Sequence, residues 1–155
     1  MQNCNNYKQG FTLLELLLVM AILTIVALAS REVYNGFAMG KNIDSVSKTI
    51  IFDLRVARSN AMSGQESNNW GIHFVNGASD YYEFFSSPGA YAHASTTIKT
   101  TTYLSGGLSF STPSEGNNLD VIFSSLSGTS SSSTIGIISA QDQKNIIVNA
   151  EGLVN

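Results

Sequence analysis

Lys8-Gln9-Gly10-Phe11-Thr12-Leu13-Leu14-Glu15 opens the stretch that decides how this chain is built, and an apolar run follows it as far as Ser30. Between Phe11 and Ala29 the only polar side chains are Thr12, Glu15 and Thr24. At a helical rise of 1.5 Å per residue, about 20 such residues cross a hydrocarbon core of roughly 30 Å. Residues 11–30 are therefore predicted to form a single transmembrane helix. Glu15 is the exception within it. A carboxylate at mid-membrane depth costs roughly 2.5–3.5 kcal/mol, while each Leu, Ile, Phe or Val contributes about 0.3–0.6 in return. The Leu-rich remainder still favours insertion, so the acid points to a task rather than to a failed span.

Two other readings fit the same residues. A secretory signal peptide also has a polar start and an apolar core, and Ala27-Leu28-Ala29 fits the small-residue cleavage rule; cutting there releases a chain starting at Ser30. A plain single-pass anchor is the other. Against the signal peptide, the apolar run is long, carries an acid, and follows a polar start with one basic residue, Lys8. Charge bias leaves orientation open, because Lys8 precedes the segment while Arg31 and Lys41 follow it.

Beyond Ser30 the pattern becomes amphipathic. Val33, Phe37, Val46, Ile50, Leu54, Ala57 and Ala61 recur at helical intervals, with Lys41, Asp44, Lys48, Asp53 and Arg58 between them. Residues 31–63 thus extend the helix along a globular domain, and Gly64 is a natural residue to end it. Gly36 and Gly40, four apart, read equally as a helix-packing face, a softened point or tolerated glycines.

From 64 to 155 the sequence reads as a β domain. Trp70–Val75, Tyr81–Ser86, Thr97–Tyr103, Leu119–Ser124, Thr134–Ser139 and Asn145–Asn149 are short runs rich in β-branched or aromatic residues, separated by Asn-Gly, Pro-Gly, Gly-Gly and Ser-Gly turns. Trp70, Ile72 and Phe74 alternate with Gly71 and His73, which sends His73 away from the apolar face. Ser124 to Thr134 reads as a flexible, solvated loop. The expected fold class is α+β: a long N-terminal helix, its first half transmembrane, whose second half covers one face of an antiparallel sheet.

Composition limits the chemistry. In 155 residues only 12% are charged, and the formal charge of −3 becomes −4 without Lys8. Such acidity disfavours a nucleic-acid surface. Cys4 is the sole cysteine, so the chain after Gly10 has no internal disulfide. Neither His73 nor His93 sits in a metal-ligand spacing, no glycine-rich phosphate loop precedes a helix, and the serines form no nucleophile elbow. Asp120, Asp142 and Glu151 lack the spacing of a calcium loop. We expect no catalytic residue, metal or cofactor.

The segment around Gly10 resembles the prepilin leader and N-terminus of type IV pilins and type II secretion pseudopilins: a short polar leader ending in Gly, then Phe, Thr and a Glu five positions into the mature chain. The resemblance implies cleavage after Gly10 by a membrane-embedded prepilin peptidase, removal of residues 1–10, and N-methylation of Phe11. It also implies that Glu15 sets assembly register by neutralising the N-terminal ammonium of a neighbouring subunit. A buried carboxylate is tolerated when paired with a cation, and proteolysis at Gly10 creates one at that depth. The resemblance, not the charge count, places the C-terminal domain on the extracytoplasmic side of a bacterial inner membrane.

The helix end, Phe52-Asp53-Leu54-Arg55-Val56-Ala57-Arg58-Ser59-Asn60-Ala61-Met62, is similar to that of the H-type pseudopilins and related minor pilins, the GspH/FimT domain family. Val121-Ile122-Phe123 with Gly128, and Ile146-Ile147-Val148 with Gly152, look like its closing strands; residues 80–112 have no counterpart. This resemblance implies a pilus or pseudopilus subunit whose partners are other pilins, the peptidase and the inner-membrane assembly platform. Arg55 and Arg58 read equally as partners of acids on a neighbouring strand or, as inter-subunit contacts, on another subunit, or as a solvated helix face. A DNA-uptake minor pilin is the alternative. It needs clustered Arg or Lys, yet Arg31, Arg55 and Arg58 are the only arginines and nothing after Lys144 is basic.

Overall fold

The computed structural model describes residues 11–91 and 94–155, and side chains at 11–28, 41–91 and 94–155. Residues 1–10, including Cys4 and Gly10, and His93 lie outside it, as do the side chains of Arg31, Val33 and Phe37. The chain divides into two units between Phe37 and Ala38.

One helix, α1, runs from Leu13 to Met62, continuous through Gly36 and Gly40. In the first unit its side chains are exposed on every side: Leu13 84%, Leu17 65%, Ile25 67% and Leu28 69%. A helix that is apolar all round requires an apolar environment. Among the described residues, however, no helix is long and apolar enough to cross a membrane. The apolar stretch with described side chains, 13–28, is about 24 Å long at 1.5 Å per residue, short of a ~30 Å hydrocarbon core. The span expected over 11–30 is therefore not met by these residues alone.

In the second unit α1 buries Ile43, Ser47, Ile50, Leu54, Ala57 and Ala61, spaced by three or four. Ser47 keeps its hydroxyl satisfied by donating to the Ile43 carbonyl at 2.7 Å. The helix ends as its sequence requires. Gly64 takes the left-handed φ of 64° and donates its N–H to the Ala61 carbonyl at 3.0 Å. A short 3-10 turn, Gln65–Ser67, leads into the first strand.

Seven strands are described: β1 Asn69–Val75, β2 Tyr81–Ser87, β3 Thr97–Tyr103, β4 Leu108–Thr112, β5 Asn118–Phe123, β6 Ser133–Ser139 and β7 Gln143–Val148. They form two antiparallel sheets, ordered β3-β2-β1-β5 and β4-β6-β7, rather than the single sheet expected. One core joins them to α1. It holds Ile50 and Leu54 from the helix, Ile72 and Phe74 from β1, Val121 and Phe123 from β5, Phe110 from β4, and Ile137, Ile146 and Val148 from the second sheet. The fold is α+β, a helix packed on antiparallel sheets.

One expectation is corrected here. The Ser-rich segment after β5 is not a free linker, because its backbone is tied down from three sides. Leu126 N–H donates to the Ala61 carbonyl at 2.8 Å, Ser125 N–H to Asn69 Oδ1 at 2.9 Å, and Ser130 N–H to the Ala150 carbonyl at 3.1 Å. The first of these gives the Ala61 carbonyl, which already accepts the Gly64 N–H, a second donor at the helix end. His73 leaves the apolar face, as alternation requires, and is buried there, at 5% exposure.

Candidate functional site

At the N-terminal site, Thr12 precedes the first helical residue, and its Oγ1 accepts the backbone N–H of Glu15 at 3.2 Å. Thr12-Leu13-Leu14-Glu15 is therefore a capping-box sequence with Thr12 as N-cap and Glu15 three positions inside. Glu15 is also the acid of the first turn, where the helix dipole favours a negative charge. The carboxylate thus lies in a favourable local field and is exposed, free to meet a cation. Phe11 stands just outside the helix at 79% exposure. Gly10, on the other side of the scissile bond, lies outside the described residues. The sequence reading gave Glu15 an assembly role and missed its place beside the cap, although the Thr-x-x-Glu pattern was visible.

At the other end of the helix, Arg55 and Arg58 are one turn apart and reach the same segment. Arg55 donates to the Val154 carbonyl at 3.2 Å. Arg58 donates through Nε to the Gly128 carbonyl at 3.3 Å and through a terminal nitrogen to the Glu151 carbonyl at 3.0 Å. Their acceptors are backbone carbonyls, not the carboxylates considered from sequence. A guanidinium presents five N–H donors in a fixed fork, so one side chain spans two carbonyls that an ammonium would serve less well. Beside the arginines is an open cleft of about 660 Å³, lined also by Met62, Leu153 and Val154. It is a place where part of each guanidinium could meet a further acceptor.

A third constellation escaped the sequence reading. On the face of the first sheet turned from the helix, His73 Nδ1 lies 2.5 Å from Asp120 Oδ1, its direct register partner on β5. The ring of Tyr91 stacks on the imidazole at 3.7 Å between centroids and 5° between planes. The Tyr91 hydroxyl donates to Glu83 on β2, and its ring meets Phe85 edge-on at 4.9 Å. Burial first, then the Glu83 carboxylate, pushes the Tyr91 phenol above its usual range. Asp120 is the partner of His73. Among the described residues no group of three or more His, Cys, Asp or Glu is placed to hold a metal ion.

Residues 5–30 match the family described as the prokaryotic N-terminal methylation motif. No curated protein and no solved structure matches the chain. The match spans the expected cleavage point, Thr12 and Glu15, and supports a type IV pilin-like class for this N-terminus. Such an N-terminus is that of a prepilin-like substrate of the peptidase, assembling with other pilin subunits in a pilus or pseudopilus.

Proposed function

We propose that this chain is a minor pilin or pseudopilin of the GspH/FimT kind, a structural subunit rather than an enzyme, acting in protein secretion or pilus assembly. The observation that carries the reading is the coincidence of the methylation motif with a Thr12-capped helix whose sides are apolar all round through Leu28. Cleavage after Gly10 leaves Phe11 as the N-methylated terminus. Residues 11–30 anchor the subunit once in the inner membrane and later line the filament core, and the β domain stays outside. Glu15 sets axial register by pairing with the terminal ammonium of an adjacent subunit. Arg55 and Arg58, beside the cleft at the helix end, are available to neighbouring subunits. The second sequence reading, DNA uptake, is the weaker one, since Arg55 and Arg58 are the only basic residues lining that cleft and do not make the cluster a phosphate backbone requires.

The test separates the charge of Glu15 from its place beside the cap. Glu15→Gln keeps a capping-box side chain and removes the charge, whereas Thr12→Ala removes the cap and keeps the charge. Cross-linking to other pilin subunits in cells measures incorporation. Register by charge predicts that Glu15→Gln abolishes the cross-links while membrane insertion stays intact, and that Thr12→Ala leaves them largely in place. The reverse ranking would reduce Glu15 to a helix-start residue.

A further inference from the structure

Four strands stand at the edges of the two sheets, and the chain covers two of them itself. β7 pairs through Ile147 and Val148 with residues 154–155. On β4, Phe110 has its carbonyl bonded by the Asn76 side chain at 2.8 Å and its N–H by Asp80 at 2.7 Å. β3 has no such cover among the described residues: six of its seven residues pair with β2 on one side, Lys99 falling at a register shift, and no backbone bond reaches the other side.

The phase of the ladder identifies which groups are open. Leu104 N–H donates to the Asp80 carbonyl at 2.9 Å, and the register then pairs Tyr81 with Tyr103, Tyr82 with Thr102 and Glu83 with Thr101. Because hydrogen-bonded and non-hydrogen-bonded pairs alternate, Thr102 and Thr100 face β2 while Thr101 and Tyr103 turn their N–H and C=O outward. The usual protection of such an edge is a charge on it. Here the only charge, Lys99, is drawn off to Glu66 at 2.7 Å and lies over the Trp70 ring at 5.5 Å.

Beside this edge runs a groove of about 190 Å³ between β3 and α1, lined by Phe52, Val56, Phe84, Thr100 and Thr102. Phe52 is 64% exposed there, an aromatic side chain on the part of α1 that buries Ile50, Leu54 and Ala57. A strand added to β3 would send alternate side chains into the groove and over Phe52.

We propose that β3 is a strand-addition site: it accepts an extended segment of another polypeptide, bonded to the outward backbone groups of Thr101 and Tyr103, with apolar side chains at alternate positions covering Phe52. Backbone bonding supplies most of the recognition and the groove selects the apolar phase. The inference does not depend on the filament reading.

The test uses the full chain in detergent and a labelled, capped peptide of alternating Val and Thr flanked by lysines. Binding is followed by fluorescence anisotropy. Saturable binding is expected, weakened at least tenfold by Thr101→Pro, which removes an outward N–H without touching a β2 bond, and several-fold by Phe52→Ser. A peptide N-methylated at alternate residues should also lose at least tenfold, and it reads the same bonds should Thr101→Pro fail to fold. No saturable binding, or equal binding of the N-methylated peptide, overturns the proposal. A dimer of the chain that Thr101→Pro dissolves and that excludes the peptide would also overturn it, assigning the edge to a second copy.

Discussion

Arg58 and Gly128 stand 70 residues apart and meet at 3.3 Å, the guanidinium Nε donating to the glycine carbonyl. Gly152 closes the same point. With φ at +74°, a Cβ there would lie 2.9 Å from Arg58 Nε and closer still to the Gly128 carbonyl. The helix end, the loop after β5 and the segment after β7 are thus fixed to one another by one side chain and one missing side chain.

Gly152→Ala should therefore destabilise the domain by roughly 3 kcal/mol, from left-handed strain plus overlap in a filled space. Arg58→Ala should cost about 1–3 kcal/mol through two abandoned carbonyls, and Arg58→Lys less. Thermal unfolding of the full chain reads all three, and an unchanged midpoint for Gly152→Ala would contradict the packing described.

Acid should weaken the fold through two carboxylates. The hydrogen bond and charge of Lys144 hold Asp44 below its ordinary 3.8, and hydrogen bonds from Lys99 and then Ser86 hold Glu66 below 4.5. Groups lowered in the folded state stabilise it above their ordinary values and lose that contribution as pH falls through the lowered ones. Stability measured from neutrality to below about pH 4 should fall less steeply in Asp44→Asn and Glu66→Gln.

Alkali acts with the opposite sign. Burial first, then the Asp53 carboxylate that accepts its hydroxyl at 2.7 Å, raises the Tyr82 phenol above its ordinary 10.0, as burial and Glu83 raise Tyr91. Their contribution is complete below 10.0 and is lost as pH rises through the raised values. Phenolate absorbance should show a late-titrating step that Tyr82→Phe and Tyr91→Phe each diminish.

What the sequence disclosed was what local pattern encodes. Gly64 ended the helix at the expected place, and β1, β2, β3, β5, β6 and β7 follow runs of β-branched and aromatic residues. β4 was missed because Leu108 and Phe110 are its only apolar residues, set between serines. The division into two sheets was not legible, since strand pairing is decided between segments far apart in the chain. For the same reason the alternation set the direction of His73 but not what covers it. Its cover, Tyr91, comes from a segment with no periodic signal. Arg55 and Arg58 were visible as a pair, but backbone carbonyls 70 to 99 residues downstream leave no mark in composition.

The central claim is that the chain matures as a prepilin, and intact-mass analysis of the membrane fraction tests it most directly. The account predicts a species that begins at N-methylated Phe11, with residues 1–10 removed. A soluble species beginning at Ser30 would contradict it, and would remove the anchor, the filament core and the role of Glu15 together.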